Sequence, residues 1–83
     1  MKEIAIHIKL FGAFRKFGEA LNFSVPSGSS GAAIKKAISG LLKGNEAALV
    51  FDSVLANDNA ILPDSHIFES DSRLSILPPV CGG

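Results

Sequence analysis

Four apolar residues at strictly alternate positions, Ile4, Ile6, Ile8 and Leu10, stand near the start of the chain with Ala5, His7 and Lys9 between them. Successive side chains of a strand point to opposite faces, so this pattern predicts a half-buried strand whose apolar side must be covered. Leu21, Phe23 and Val25 repeat the alternation against Asn22 and Ser24 and predict a second strand. The segment between them, Phe11 to Gly18, holds two glycines and no alternation. It reads as a connection, with room for a helical turn, that joins the two strands as a hairpin.

The cover comes from one stretch of different periodicity. Pro26-Ser27-Gly28-Ser29-Ser30-Gly31 breaks the strand pattern. Beyond it Ile34, Ala37, Ile38, Leu41 and Leu42 recur at helical spacing, with Lys35, Lys36 and Lys43 elsewhere on the helix. Ser30 is placed to cap the first turn, Gly44 to stop the helix, and Lys43 to suit the dipole at its end. Gly40 inside the helix costs about 1 kcal/mol against alanine, so packing has to hold it.

The segment Glu46–Phe51 fits either a short helix or a strand. Val54-Leu55-Ala56, the turn residues Asn57-Asp58-Asn59 and the returning Ala60-Ile61-Leu62 predict a short hairpin. Leu62-Pro63-Asp64 closes that unit. Arg73 to Leu77 form the last strand, ended by Pro78-Pro79, because proline cannot donate to a ladder. Strands with one long helix packed on one face define an α+β class.

Eighty-three residues leave room for one domain, and the 47% apolar content suits a packed core. Eight basic and eight acidic side chains cancel, which argues against nucleic-acid binding through phosphate neutralisation. The apolar runs fall far short of the roughly 20 residues that span a bilayer. Met1-Lys2-Glu3 leads into the strand pattern without a charged-then-apolar leader, and Cys81 is the single cysteine. A cytoplasmic protein is expected, with no membrane association, no disulfide framework and no metal site.

The chemistry points to Leu77-Pro78-Pro79-Val80-Cys81-Gly82-Gly83. Two prolines favour an extended, stiff exit from the sheet. The four residues after Pro79 reach at most about 14 Å, enough to enter a partner's active site while the domain stays outside. Glycines at the tip fit a narrow channel because they lack Cβ. A terminal carboxylate is ionised at neutral pH and is a poor electrophile, so it needs a leaving group before it can act as an acyl donor. No phosphate-cradling glycine loop with a Lys-Ser/Thr pair occurs in the chain. Activation is therefore expected from a separate enzyme.

The ending resembles the Pro-Pro-Val-x-Gly-Gly terminus of the small subunit of molybdopterin synthase, MoaD. The related sulfur carrier ThiS and the small archaeal modifier proteins share its Gly-Gly. Leu10 to Gly18 is similar to the segment after the first strand in that family, where an aromatic, an arginine and a glycine recur. Ser30 with Ile34, Ile38 and Leu41 resembles the family's helix start, and Val54 to Asp58 its turn before the closing strands.

The resemblance implies a ubiquitin-like β-grasp fold, a mixed sheet of four to five strands on one main helix. Residues 1–79 would form the domain and 80–83 a flexible tail. It implies adenylation of Gly83 by an E1-like enzyme using ATP, with no cofactor bound by the chain itself. Displacement of AMP by sulfur would then give a thiocarboxylate for molybdopterin biosynthesis. The chain is then no stand-alone enzyme but a carrier subunit that can complete a molybdopterin synthase with its large subunit. The same activated glycine can instead serve an isopeptide bond to target-protein lysines or tRNA thiolation. Pro78, Pro79, Val80, Cys81 and Gly82 would be the docking stem, and Phe11 and Arg15 a partner surface. A β-grasp interaction module with incidental glycines is the non-carrier alternative.

Other residues have simpler readings. Cys81 stands at a variable family position and shows no cation or helix end that would lower a thiol pKa. His7 is expected on a solvent-facing strand side and His66 in a loop, neither paired with a nucleophile. Gly28-Ser29-Ser30-Gly31 could cradle a phosphate through free amides but is expected to be a capped turn. Phe11, Phe14 and Phe17 are expected to pack beneath the hairpin connection.

Overall fold

The computed structural model describes residues 2–42 and 46–78. The predicted first strand is β1 (Glu3–Leu10) and the second is β2 (Ala20–Pro26), paired antiparallel from Glu3↔Pro26 to Lys9↔Ala20. Between them Gly12–Phe17 forms a 3₁₀ turn. Two-residue β3 (Ser29–Ser30) leads into helix α1 (Gly31–Leu41). A short helix α2 (Glu46–Leu49) and a 3₁₀ turn (Val50–Asp52) follow, so the segment that fitted helix or strand is helical. Next come β4 (Val54–Ala56), β5 (Ile61–Leu62), β6 (Ile67–Phe68) and β7 (Ser72–Leu77).

Five strands make one mixed sheet in the order β2-β1-β7-β4-β5, and β3 pairs with β6 in a second, two-stranded sheet. β1 and β7 run parallel at the centre, Leu10 opposite Ile76, while the other neighbours are antiparallel. This mixed sheet on one helix has the architecture expected of a β-grasp. The β3–β6 pair was not expected, because two-residue strands carry no periodicity to read.

The core lies between the sheet and α1. Ile4, Ile6, Ile8 and Leu10 of β1 are each at most 1% exposed, together with Ile34, Ile38, Leu55 and Ile76. Fully burying one such side chain is worth about 1.5–3 kcal/mol, so this set dominates what holds the domain together. Ser30 caps α1 as expected, accepting from the Ala33 amide at 3.2 Å. In the hairpin β4–β5, Asn57 Oδ1 accepts from the Asn59 and Ala60 amides, both at 2.8 Å, which explains the turn chemistry there.

The helix departs from expectation in three places. It stops at Leu41, because Leu42 is already extended (φ −97°, ψ 157°), so Gly44 is not its stop. Gly44 and Lys43 lie outside the described residues. Leu41, placed on the apolar stripe by spacing, is 52% exposed at the last residue of the helix. Lys35, placed on the polar side, is buried, its Nζ 2.7 Å from Oδ1 of Asp64. The segment from Pro63 to His66 folds over the start of α1 and carries the carboxylate to it.

Candidate functional site

The parallel pairing of β1 with β7 brings the C-terminal ends of both strands to one rim of the sheet. The chain therefore turns at Phe11-Gly12 beside the place where Leu77-Pro78 leaves the sheet. Gly12 has φ +60°, a left-handed conformation that other residues resist. A Cβ on Gly12 would stand 2.6 Å from Cγ of Pro78, so the missing side chain is what lets the proline seat. Pro78 is half-buried there. The root of the predicted tail is thus pinned by shape.

Phe14 anchors the same turn from below. It is fully buried, Phe17 packs against the core, and the Phe14 amide donates to the Phe11 carbonyl at 3.1 Å. The three phenylalanines accordingly divide their work. Phe14 and Phe17 hold the turn, as expected, while Phe11 stays half-buried, its ring centroid 5.4 Å from Lys9 Nζ. Arg15 is exposed. Of the two candidates for a partner surface, Phe11 adjoins Gly12, and Arg15 is an exposed member of the same 3₁₀ turn.

The outer side of the sheet supplies further apolar surface near this rim. Alternation places Leu77 outward, since its neighbour Ile76 is buried. Opposite it in the register is Val54, 37% exposed; next along lies Ala56, paired with Ile61, which is 65% exposed. Nothing in the strand alternation marked Val54, Leu77 and Ile61 as sharing one side of the sheet, because only the sheet order shows it. The same side turns polar toward β2, where His7 Nδ1 lies 2.7 Å from Asn22 Oδ1.

The remaining candidates resolve into structural roles. His7 faces outward as expected. His66 lies between β5 and β6, its carbonyl accepting from the Gly31 amide at 2.8 Å and its ring edge-on to Phe68 at 4.7 Å. The amides of Gly28, Gly31 and Ala32 donate to the carbonyls of Phe68, His66 and Asp64, and that of Ala33 to Ser30. With these donors engaged, the glycine-serine turn is a capped helix start rather than a phosphate cradle. Among the described residues no group of three or more His, Cys, Asp or Glu could hold a metal ion, and no helix is long and apolar enough to cross a membrane. Pro79, Val80, Cys81, Gly82 and Gly83 lie outside the described residues.

No protein-family model and no curated protein matches the chain. Solved structures do. The solution structure of the HVO 2177 protein of Haloferax volcanii is similar over 98% of this chain and 88% of its own, with TM-score 0.74 and 16% identity. The crystal structure of SAMP1 from Haloferax volcanii is similar over 95% and 99%, with TM-score 0.70 and 16% identity. The N-terminal ubiquitin-like domain of the 4931431F19Rik protein is similar over 98% and 79%, with TM-score 0.68 and 22% identity. The fold is therefore the ubiquitin-like β-grasp.

Proposed function

We propose that this ubiquitin-like β-grasp chain is a carrier whose Gly83 carboxylate is activated by a separate E1-like enzyme. The observation that carries the reading is the seating of Pro78 on Gly12 at the end of the central strand β7. It sets a fixed starting point for the five residues that follow, which can reach at most about 18 Å from it. A partner that grips the sheet beside this point meets the acyl end at a defined distance. Phe11, Arg15, Leu77, Val54 and Ile61 offer that grip, an apolar area with a cation at its margin.

In the proposed reaction the Gly83 carboxylate attacks the α-phosphorus of ATP, releasing pyrophosphate and forming an acyl adenylate. A sulfur nucleophile then displaces AMP and leaves a thiocarboxylate. The resemblance of Pro78-Pro79-Val80-Cys81-Gly82-Gly83 to the MoaD ending favours a molybdopterin precursor as sulfur acceptor. On this reading the chain completes a synthase only together with its large subunit.

A second outcome of the same acyl adenylate is an isopeptide bond to a target-protein lysine. It is favoured by the likeness to a protein described as small archaeal modifier protein 1, at TM-score 0.68 and 13% identity. Incubation with ATP, sulfide and the activating enzyme, read by intact mass, tests the shared first step. A gain of about 16 Da, the difference between sulfur and oxygen, is expected, and appending one residue after Gly83 abolishes it. A mass unchanged in the presence of an active enzyme would reject the carrier reading. A ladder of heavier conjugates in cell extract that requires Gly82-Gly83 would select the modifier outcome.

A further inference from the structure

The sheet has two edges, and they are unequal. β5 is two residues long, whereas β2 runs seven residues, Ala20 to Pro26, without a single charged side chain. Long uncharged edges are templates for further strand pairing, which proteins usually block with lysine, a bulge or a central proline. In β2 the only such residue is Pro26, at the strand's last position.

The free hydrogen-bonding groups of this edge follow from the ladder. The Leu10 amide donates to Glu19, and the Ser27 amide to Lys2, so the odd-numbered residues of β2 turn their backbone groups toward β1. Alternation then directs the N–H and C=O of Ala20, Asn22 and Ser24, and the C=O of Pro26, outward. Leu21 and Phe23 are half-exposed beside them on the core-facing side.

The geometry points to a second copy of this chain as the occupant, paired antiparallel through β2 about a two-fold axis at Phe23. In that register Asn22 faces Ser24 of the second copy, and each such pair exchanges two hydrogen bonds through groups that already point outward. Phe23 meets Phe23, and Leu21 meets Val25, so apolar side chains lie opposite apolar ones. Shifting the register by two residues one way would set Glu19 against Val25, and the other way would set Asn22 against Pro26, which has no N–H to give.

Charge supports the same register. Glu19 falls opposite Ser27 of the second copy, whose amide donates to the Lys2 carbonyl of that copy and whose hydroxyl reaches only the backbone carbonyl of Glu69, at 3.4 Å. The Glu19 and Lys2 side chains lie on the core-facing side, about 10 Å apart at the backbone, within reach of a glutamate and a lysine together. The pair occurs twice by symmetry. Two five-stranded sheets become one continuous ten-stranded sheet. β7 lies two strands away from the new seam, so both Pro78 rims stay open, and the pairing stands whether or not the carrier reading does.

Amide hydrogen exchange as a function of concentration, with sedimentation for mass, tests this on the full chain. The Asn22 and Ser24 amides are expected to gain protection as the 8.7 kDa monomer gives way to a species of about twice that mass, while Leu21 and Phe23 are protected throughout. Ser24→Pro removes an outward N–H without touching the β1 ladder and should weaken association at least about tenfold. Glu19→Lys or Lys2→Glu alone should weaken it about 2–5-fold, and the two together should restore it. A chain that stays monomeric to millimolar concentration overturns the proposal. So does a dimer in which the Asn22 and Ser24 amides exchange as freely as in the monomer, or protection that comes only when an extended peptide is added. The exchange and charge-swap arms hold even if Ser24→Pro fails to fold.

Discussion

Gly12 and Pro78 meet across the rim of the sheet so closely that a Cβ on the glycine would lie 2.6 Å from the proline's Cγ. One residue begins the turn after β1 and the other leaves β7, sixty-six positions later in the sequence. Gly12→Ala therefore has to pay twice, once for φ +60° and once for the overlap. A loss of about 1–3 kcal/mol is expected in chemical denaturation. Pro78→Ala in the same chain should recover the overlap part and leave the backbone part, which a double-mutant cycle separates. Gly83 activation should fall further in Gly12→Ala than its stability explains.

Gly31 is a tighter case. Its missing Cβ would stand 2.7 Å from the Pro63 carbonyl oxygen and 3.1 Å from Asp64 Cα, both backbone atoms. Backbone cannot rotate away as a side chain can, so Gly31→Ala should separate α1 from the Pro63–His66 segment. The expected cost is about 2–3 kcal/mol, measured by urea unfolding. It should come with lost protection of the Gly31 and Ala32 amides, which donate to that segment.

Lys35 and Asp64 predict an asymmetry. Lys35 is buried while the Asp64 side chain is 59% exposed. Asp64→Asn leaves a buried ammonium with a weaker partner, so it should cost about 1–2 kcal/mol. Lys35→Met removes the charge and keeps the packed stem, and should cost less than Asp64→Asn. Thermal unfolding of the two variants gives the order.

Gly40 offers the opposite sign. It is exposed in α1, and among the described residues nothing lies within 4 Å of where its Cβ would stand. Gly40→Ala should stabilise the domain by about 0.5–1 kcal/mol, because it narrows the unfolded ensemble and creates no clash. Gly12→Ala and Gly40→Ala thus predict opposite shifts in melting temperature for the same substitution.

On the outer side of the sheet, Ile61→Asp should leave stability within about 0.5 kcal/mol, since the side chain is 65% exposed. If the activating enzyme grips this outer side of the sheet, the same change should weaken that complex at least about tenfold in a binding titration. Unchanged affinity would move the contact elsewhere.

Much of the fold could be read from residue order alone. Alternation at Ile4, Ile6 and Ile8 and again at Leu21, Phe23 and Val25, with helical spacing from Ile34 to Ile38, placed the hairpin, the helix and their apolar sides. These are local consequences of where side chains point along one element. The capping serine and the Asn57 turn were legible for the same reason, since each bonds within a few residues. The candidate site was legible in part. Phe11 and Arg15 could be singled out, but the contact of the adjoining Gly12 with Pro78 could not, because it arises from parallel pairing of the first and last strands.

Lys35 shows the limit most clearly. Its helical position suggests solvent, and it became buried only because a loop thirty residues away brings Asp64 over it. Gly12 and Gly31 likewise read as ordinary turn glycines until distant backbone and proline rings occupy the space they leave. Residue order is enough to set which faces are apolar and where each element turns, since those depend on neighbours along the chain. Tertiary structure alone decided which rim the tail leaves, which edge stays open and which lysine is buried, since those depend on strand order and long-range packing.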